Sequence, residues 1–431
     1  MTCFTNPPQT YAQPPDGGWG WIVVCSSLTV RMMTLGVSAH AGVLIVALKS
    51  TMVNNSVVEI VLVTSLYFGF MCFIGPFGIY INDRYGTRPA MLIGATLSTI
   101  GLFLSSFAFN TYYLYISYGA ITGTGHGFLI ATNLPILSKY FDKHFATATG
   151  IACVGTGLGF FIYPPMTQFF VSKYGWRGSF LMLSAINANT FACAAVMRPI
   201  IVTSQEQEKK NTDRKTDGLF KTLVRSLGFR LLCTNLNFAL MMLGVFAADM
   251  SFLIVISLTV PYAVDNGTPE LKAPFLVTAV GIASLSTRLV QGWIVDKAYI
   301  RPICILPILM LTMGIAQLTI ALTTMFPVLI VACVLVGACD GIYFPVYFVC
   351  MKVMVGVTNY SHANSMTLLA IGLAGILGSQ SGGWIYDNTG SFKIVFYLCV
   401  VCNLVAALLY GIVAFRQRAQ KRNAHWGNNE N

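Results

Sequence analysis

Long uncharged stretches recur along the whole chain, and they limit its fold before any other feature does. A helix needs about 20 mostly apolar residues to cross the hydrocarbon core of a bilayer. Apolar runs set against charged or Pro/Gly breaks give twelve such spans. They lie near 20–48, 57–81, 90–109, 112–137, 146–171, 178–198, 231–263, 273–295, 302–323, 326–351, 363–385 and 392–415. The run 231–263 suits one tilted helix and is short for two. In lipid every backbone polar group must be satisfied internally, so segments of this length and composition read as helices. The expected fold class is an all-α membrane protein.

Composition agrees. Only 10% of the 431 residues are charged and 55% are hydrophobic, whereas a soluble domain carries about 25% charged residues. A soluble globular enzyme and a disordered scaffold are excluded. The net charge of +11 suggests nucleic acid, but the basic residues fall in short breaks between apolar runs and form no solvated face. The first basic residue is Arg31, so no basic n-region of a cleaved signal is present. The 12 cysteines are scattered through apolar stretches, and Cys399 and Cys402 read as structural within one such run. Neither a metal cluster nor a cofactor motif is visible, and the HExxH and GxSxG patterns of embedded enzymes are missing.

One break differs from the rest. From Ile201 to Arg230 the chain is polar and divides the spans six and six. The expected organisation is a cytosolic tail at 1–18, a six-helix bundle at 19–200, a cytosolic linker at 201–230, a second bundle at 231–415 and a cytosolic tail at 416–431. With both termini in the cytosol, 19 of the 26 basic residues lie on that side and five on the other, while Arg31 and Arg288 fall inside spans. Cytosolic loops carry the excess of Lys and Arg, so this bias sets the orientation.

The halves repeat. Asp83, Arg88 and Pro89 recur at Asp296, Arg301 and Pro302, all at an offset of 213. Gly175, between spans 5 and 6, matches Gly390, between spans 11 and 12, at an offset of 215. Parallel six-helix repeats about a basic central loop define the major facilitator architecture, with one solute site near the midplane between the halves.

Four segments carry a resemblance to a known family. Pro15-Asp16-Gly17-Gly18-Trp19-Gly20-Trp21 opens span 1. Tyr140-Phe141-Asp142-Lys143-His144 follows span 4, with Ala148 to Ala152 and Gly155 beyond it. Tyr174 to Phe180 and Gly383 to Gly390 complete the set. In this order they resemble the monocarboxylate transporter family, solute carrier family 16. The resemblance implies a plasma-membrane carrier of small organic carboxylates, and a single-span glycoprotein companion such as travels with related lactate carriers.

Ionisable groups at membrane depth are costly, about 2.5–3.5 kcal/mol on insertion scales, so they are paired or functional. Six are candidates: Arg31, His40, His126, Asp249, Arg288 and Asp340. Arg288 lies deep in span 8, and its planar guanidinium matches a carboxylate with two parallel hydrogen bonds. The resemblance agrees, because family members bind the substrate carboxylate with an Arg at this place. Asp340 in span 10 lies at similar depth and is its expected partner. Lactate-carrying members place an Asp four residues before the span-8 Arg, where this chain has Ser284; Ser284 and His40 join Arg288 and Asp340 as the candidate substrate-binding residues. The span-8 Arg with a span-10 Asp resembles instead the branch that carries aromatic amino acids and iodothyronines.

His40 stands within about a residue of the place where proton-coupled members have a Lys. Its unperturbed pKa suits proton exchange near neutrality, so His40, Asp249 and Asp340 are the proton-coupling candidates. Arg31 faces the opposite side of an ideal helix from His40 and is expected to reach the cytosolic headgroups. His126, among Gly123, Gly125 and Gly127, is a weaker site candidate. Asp83, Arg84, Arg88, Asp296, Arg301 and Lys143 are read as conformational groups at the cytosolic mouth. Lys143 is followed by His144 and Phe145, where the family usually shows two arginines.

The leading expectation is therefore a secondary transporter of monocarboxylate-type solutes, with or without proton coupling. A proton-independent facilitator of aromatic amino acids, iodothyronines or creatine-like solutes is the alternative. A solute sensor that kept the fold without transport is the alternative of another class.

Overall fold

The computed structural model describes residues 9–11, 16–51, 56–141, 144–198, 200–202, 235–296 and 302–427. The linker expected at 201–230 lies outside them, apart from its first two residues. Almost everything described is helix, as long apolar segments require. Span 1 is two helices, α1 (Trp19–Ala39) and α2 (Ala41–Thr51), which meet at His40. Span 2 is also divided, into α3 (Val57–Phe73) and α4 (Gly75–Tyr85), joined through Ile74 ahead of Pro76. Span 3 is α5 (Thr87–Ser105). Span 4 runs from α6 (Thr111–Leu114) through a π-helical stretch, Tyr115–Thr122, into α7 (Gly123–Tyr140).

Spans 5 and 6 form α8 (Phe145–Asn187), which is broken at Gly175, and α9 (Asn189–Val196). The second half holds α10 (Leu236–Asp265), α11 (Phe275–Asp296), α12 (Pro302–Leu322), α13 (Phe326–Thr389) and α14 (Lys393–Gly427). The run around 231–263 is thus one helix. Nine segments among the described residues are long and apolar enough to cross a membrane, and one of them, Thr147–Val196, has 50 residues and contains the Gly175 break. Counting that one twice, and adding the stretch Thr111–Tyr140 and α11, accommodates the twelve expected crossings.

Helix α13 spans 64 residues, and a straight helix of that length would run roughly 95 Å, about three bilayer cores. It is not straight. The Tyr347 hydroxyl lies 3.3 Å from that of Thr367, 20 positions on, and Thr367 also donates to Met351 Sδ at 3.4 Å. The chain therefore reverses direction between Met351 and Ala363, and Phe326–Val355 and Ala363–Thr389 are separate crossings, as spans 10 and 11 anticipate.

The repeat offset reappears in three dimensions. Gly175 and Gly390 both adopt left-handed backbone, with φ of 69° and 67°, a conformation that glycine reaches at little cost. Asn187 and Asn403 each sit in the last crossing of their half, buried, and each anchors a polar cluster. Asn187 donates to Ser98 and Thr99 at 2.8 and 3.1 Å. Asn403 donates to Ser251 and Gln317 at 2.8 and 2.6 Å.

Gln9–Tyr11 pairs in parallel with Ile200–Val202, a two-stranded exception to the all-helical expectation. Two of the sequence motifs also meet here. The Asp16 amide donates to Tyr140 O at 3.0 Å, Gly20 packs on the Phe141 ring, and Trp21 lies 5.0 Å from that ring. Trp19 Nε1 donates to Val196 O at 3.0 Å, beneath the Arg198 guanidinium.

Candidate functional site

Helix α11 is held between the halves by small residues. A methyl group at Gly337 would strike the carbonyl oxygen of Val280, and one at Gly341 would strike the Thr287 hydroxyl. These glycines let α13 lie directly on α11, which brings their polar side chains into register. On the other side of α11, a methyl group at Gly157 of α8 would sit 2.9 Å from Leu285 Cβ. The α8–α11 contact therefore joins the first half to the second.

Arg288 and Asp340 meet in this packing. Arg288 Nη2 lies 3.1 Å from Asp340 Oδ2, with side chains 10% and 2% exposed. Ser284 donates to the same oxygen at 2.8 Å. Ser284, where related lactate carriers have a carboxylate, thus supports the carboxylate of Asp340. Arg288 Nη1 reaches across to Cys153 O of α8 at 3.5 Å, while its Nε is buried without a partner. The guanidinium keeps unused donor capacity, which is what a carboxylate ligand needs.

Asp249, on α10, is also buried, 2% exposed, and its Oδ2 has no hydrogen-bond partner. It lines a small cavity with Asp340, Phe252, Met310, Tyr343 and Phe344. A second cavity lies where the halves meet, lined by Ser38, Thr64 and Tyr67 from the first half and Leu253, Ser257 and Ser379 from the second.

His40 is fully buried at the α1–α2 joint, neither ring nitrogen has a partner, and its ring packs edge-on to Tyr118 at 6.0 Å. Its neighbours Ser38 and Ala41 line the inter-half cavity. Arg31 is half-buried, with an unpartnered buried Nε. His126 is tied into the first half, with Nδ1 2.6 Å from the Tyr67 hydroxyl and Nε2 3.0 Å from Asn187 Oδ1.

Of the expected mouth residues, Arg84 is exposed and donates to Tyr80 at 2.8 Å, a bond that holds its guanidinium above its ordinary pKa. Arg88 donates to Ala195 O within the first half. Lys143 and Arg301, and the side chains of Asp83 and Asp296, lie outside the described residues.

Sequence reasoning missed a cluster at the opposite end. Lys49 Nζ lies 3.2 Å from Asp265 Oδ1 and donates to the Tyr386 hydroxyl at 2.8 Å. Tyr386 in turn donates to Asp265 Oδ2 at 2.8 Å and stacks on Phe392. Beside it, both oxygens of Asp387 accept the Val57 and Val58 amides at 3.0 Å, capping α3 from the other half. The only sequence signal was the motif Gly383–Gly390, which contains Tyr386 and Asp387 but names no partner.

With this geometry in view, the comparisons with known proteins agree. The sequence model of the Major Facilitator Superfamily matches residues 24–352 and 301–428. Monocarboxylate transporter 12 of Xenopus laevis is 27% identical, over 95% of this chain and 91% of its own. Monocarboxylate transporter 11 of Mus musculus is 26% identical, over 93% and 88%. Monocarboxylate transporter 4 of Mus musculus is 28% identical, over 93% and 84%. Among solved structures, a D-xylose-proton symporter superposes with a TM-score of 0.72 at 17% identity, covering 90% of this chain and 96% of that one. A POT family transporter in complex with 5-aminolevulinic acid gives 0.71 at 16% identity, covering 94% and 98%.

Proposed function

The chain belongs to the Major Facilitator Superfamily, and from that premise we propose that it is a secondary transporter carrying monocarboxylate-type organic solutes across the plasma membrane by alternating access. The observation that carries this reading is the buried pair of Arg288, on the helix α11 that touches both halves, with Asp340 of α13. A guanidinium there is neutralised by Asp340 when the site is empty and released to a substrate carboxylate when it is filled. The exchange keeps the charge of Arg288 paired at every stage, which a medium of low dielectric demands. Both termini and the linker are cytosolic in this reading, in line with the charge bias.

Proton coupling would use His40, Asp249 or Asp340, each a buried titratable group. The second reading, a proton-independent facilitator of bulkier aromatic, iodothyronine or creatine-like solutes, draws on Asp340 standing on α13 with Ser284 on α11. The test is radiolabelled uptake into proteoliposomes with and without an imposed pH gradient, using lactate, pyruvate, creatine, tryptophan and an iodothyronine. Arg288→Ala abolishes uptake of every carboxylate that the wild type carries. Retained uptake in that variant overturns the carboxylate anchor. A wild-type protein that binds these solutes without flux is a sensor.

A further inference from the structure

Helix α1 turns one face toward the space between the halves. Ser38 lines the inter-half cavity, and Arg31, seven residues before it, lies two turns away on the same face. Arg31 comes twelve residues after Trp19, roughly 18 Å of helix, which exceeds the reach of its side chain to the cytosolic headgroups. Its guanidinium has no hydrogen bond or ion pair among the described residues, and its Nε is buried. An arginine stays charged at any physiological pH, and a charge at this depth is paired or functional.

Helix α8 presents a matching face. Thr149, Cys153, Thr156 and Phe160 follow one another at helical spacing. Phe160 stacks on Phe252, which lines the cavity of Asp249 and Asp340, and Arg288 Nη1 reaches Cys153 O at 3.5 Å. This face therefore looks toward the second half. On it the hydroxyls of Thr149 and Thr156 are buried without partners, and Thr156 is only 5% exposed. Glycines fix the level of these groups. Methyl groups at Gly155 and Gly159 would strike the backbone of Leu28 and of Met32, so Arg31 stands between those two contacts. Arg288 is level with Cys153 on the other flank. The two guanidiniums thus flank one strip of α8, offset by no more than six positions, roughly 9 Å along its axis.

We propose that Arg31 is a second anion-binding residue of the solute path, and that the favoured cargo is a dicarboxylate, with one carboxylate on Arg288 and the other on Arg31. The proposal rests on the transporter reading above and names a substrate class for it. Each carboxylate then receives charge-assisted hydrogen bonds from a guanidinium. The Thr149 and Thr156 hydroxyls donate to the solute from the strip between them, which satisfies two buried polar groups that the protein leaves without partners. A solute with a single carboxylate on Arg288 leaves Arg31 without the counter-charge that no described side chain supplies.

The test uses the full chain in proteoliposomes and solutes that differ by one charge: glutarate with its monomethyl ester, and adipate with its monomethyl ester. The wild type carries at least one diacid faster than its ester. In Arg31→Gln the ratio of diacid to ester uptake falls about tenfold, the equivalent of ~1.4 kcal/mol of selective binding. Arg31→Lys, which keeps the charge, retains part of the preference and shows that the loss in Gln is not misfolding. Thr156→Val, which keeps the volume, lowers the same ratio. Melting in detergent reads the site without flux: the diacid raises the wild-type melting temperature more than the ester does, and Arg31→Gln removes the difference. If no carboxylate is taken up at all, the transporter reading fails, and the melting comparison still decides for or against Arg31. A wild type that handles diacid and ester equally overturns the proposal. So does an Arg31→Gln protein that keeps the wild-type ratio and the melting difference, since Arg31 then serves the fold or the lipid and not the solute.

Discussion

A single oxygen of Asp340 takes both the Arg288 guanidinium and the Ser284 hydroxyl, and this sharing decides what substitutions there do. Ser284→Ala removes a hydrogen bond to a charged acceptor, worth about 1.5–3 kcal/mol, and should lower uptake without lowering the amount of protein at the membrane. Ser284→Asp should be worse, because it sets two carboxylates against each other in a dry site. Adding Asp340→Asn to Ser284→Asp moves the counter-charge from α13 to α11. Uptake by the double variant should exceed that of Ser284→Asp alone. Additive losses in that cycle would show that the two positions do not share Arg288. Arg288 and Asp340 were legible in the sequence because charge at membrane depth is expensive and therefore conspicuous. The role of Ser284 was not, since a serine in an apolar helix is unremarkable until its neighbour across the interface is known. Lys49 and Tyr386 were hidden for a related reason. A lysine and a tyrosine at the ends of spans are what any membrane helix shows, and these two lie 337 positions apart.

At the level of elements, the site depends on how closely α13 lies on α11. Gly341→Val puts a branched side chain where Thr287 and the Ser284 carbonyl already stand. Overpacking of this kind costs typically about 1–3 kcal/mol, and here it should also pry Asp340 from Arg288. The expected result is a lower melting temperature in detergent together with lost uptake. Gly411→Ala is the control, because nothing lies within 4 Å of a methyl group there, and it should be neutral or stabilising. Hydropathy located the crossings, since their length is dictated by the bilayer. It did not reveal the joints at His40 and Ile74, where the chain stays apolar while the helix ends. The Gly175 break was visible because polar residues and glycine mark it, and the strand pair Gln9–Tyr11 with Ile200–Val202 was not, as its partners lie far apart in sequence.

Taken as a whole, the molecule is fastened at the end that carries Lys49. There α2 and α3 of the first half are joined to α10 and α13 of the second by the Lys49–Asp265–Tyr386 triad and the Asp387 cap. In the orientation set by the charge bias this end is exoplasmic, so a cysteine introduced at Asn211 should resist an impermeant thiol reagent applied to intact cells. In that orientation, and under the alternating access proposed above, the triad is an outer latch. Lys49 and Asp265 are each about a third exposed, so their ion pair is worth no more than ~1 kcal/mol. The Tyr386 hydroxyl adds two bonds, one from Lys49 and one to Asp265, of ~0.5–1.5 kcal/mol each. Lys49→Met with Tyr386→Phe removes all of these. By the usual conversion of ~1.4 kcal/mol per factor of ten, the population open to the outside should rise at least about fivefold. Ser257 lines the inter-half cavity, so a cysteine there reports the opening. Its labelling from outside should quicken by that factor in the double variant, measured against the same cysteine in the otherwise wild-type chain. Labelling from the cytosolic side should slow, because a latch that closes one mouth must favour the opening of the other. Equal acceleration on both sides would mean that the triad holds the fold together at large and does not choose between its two faces.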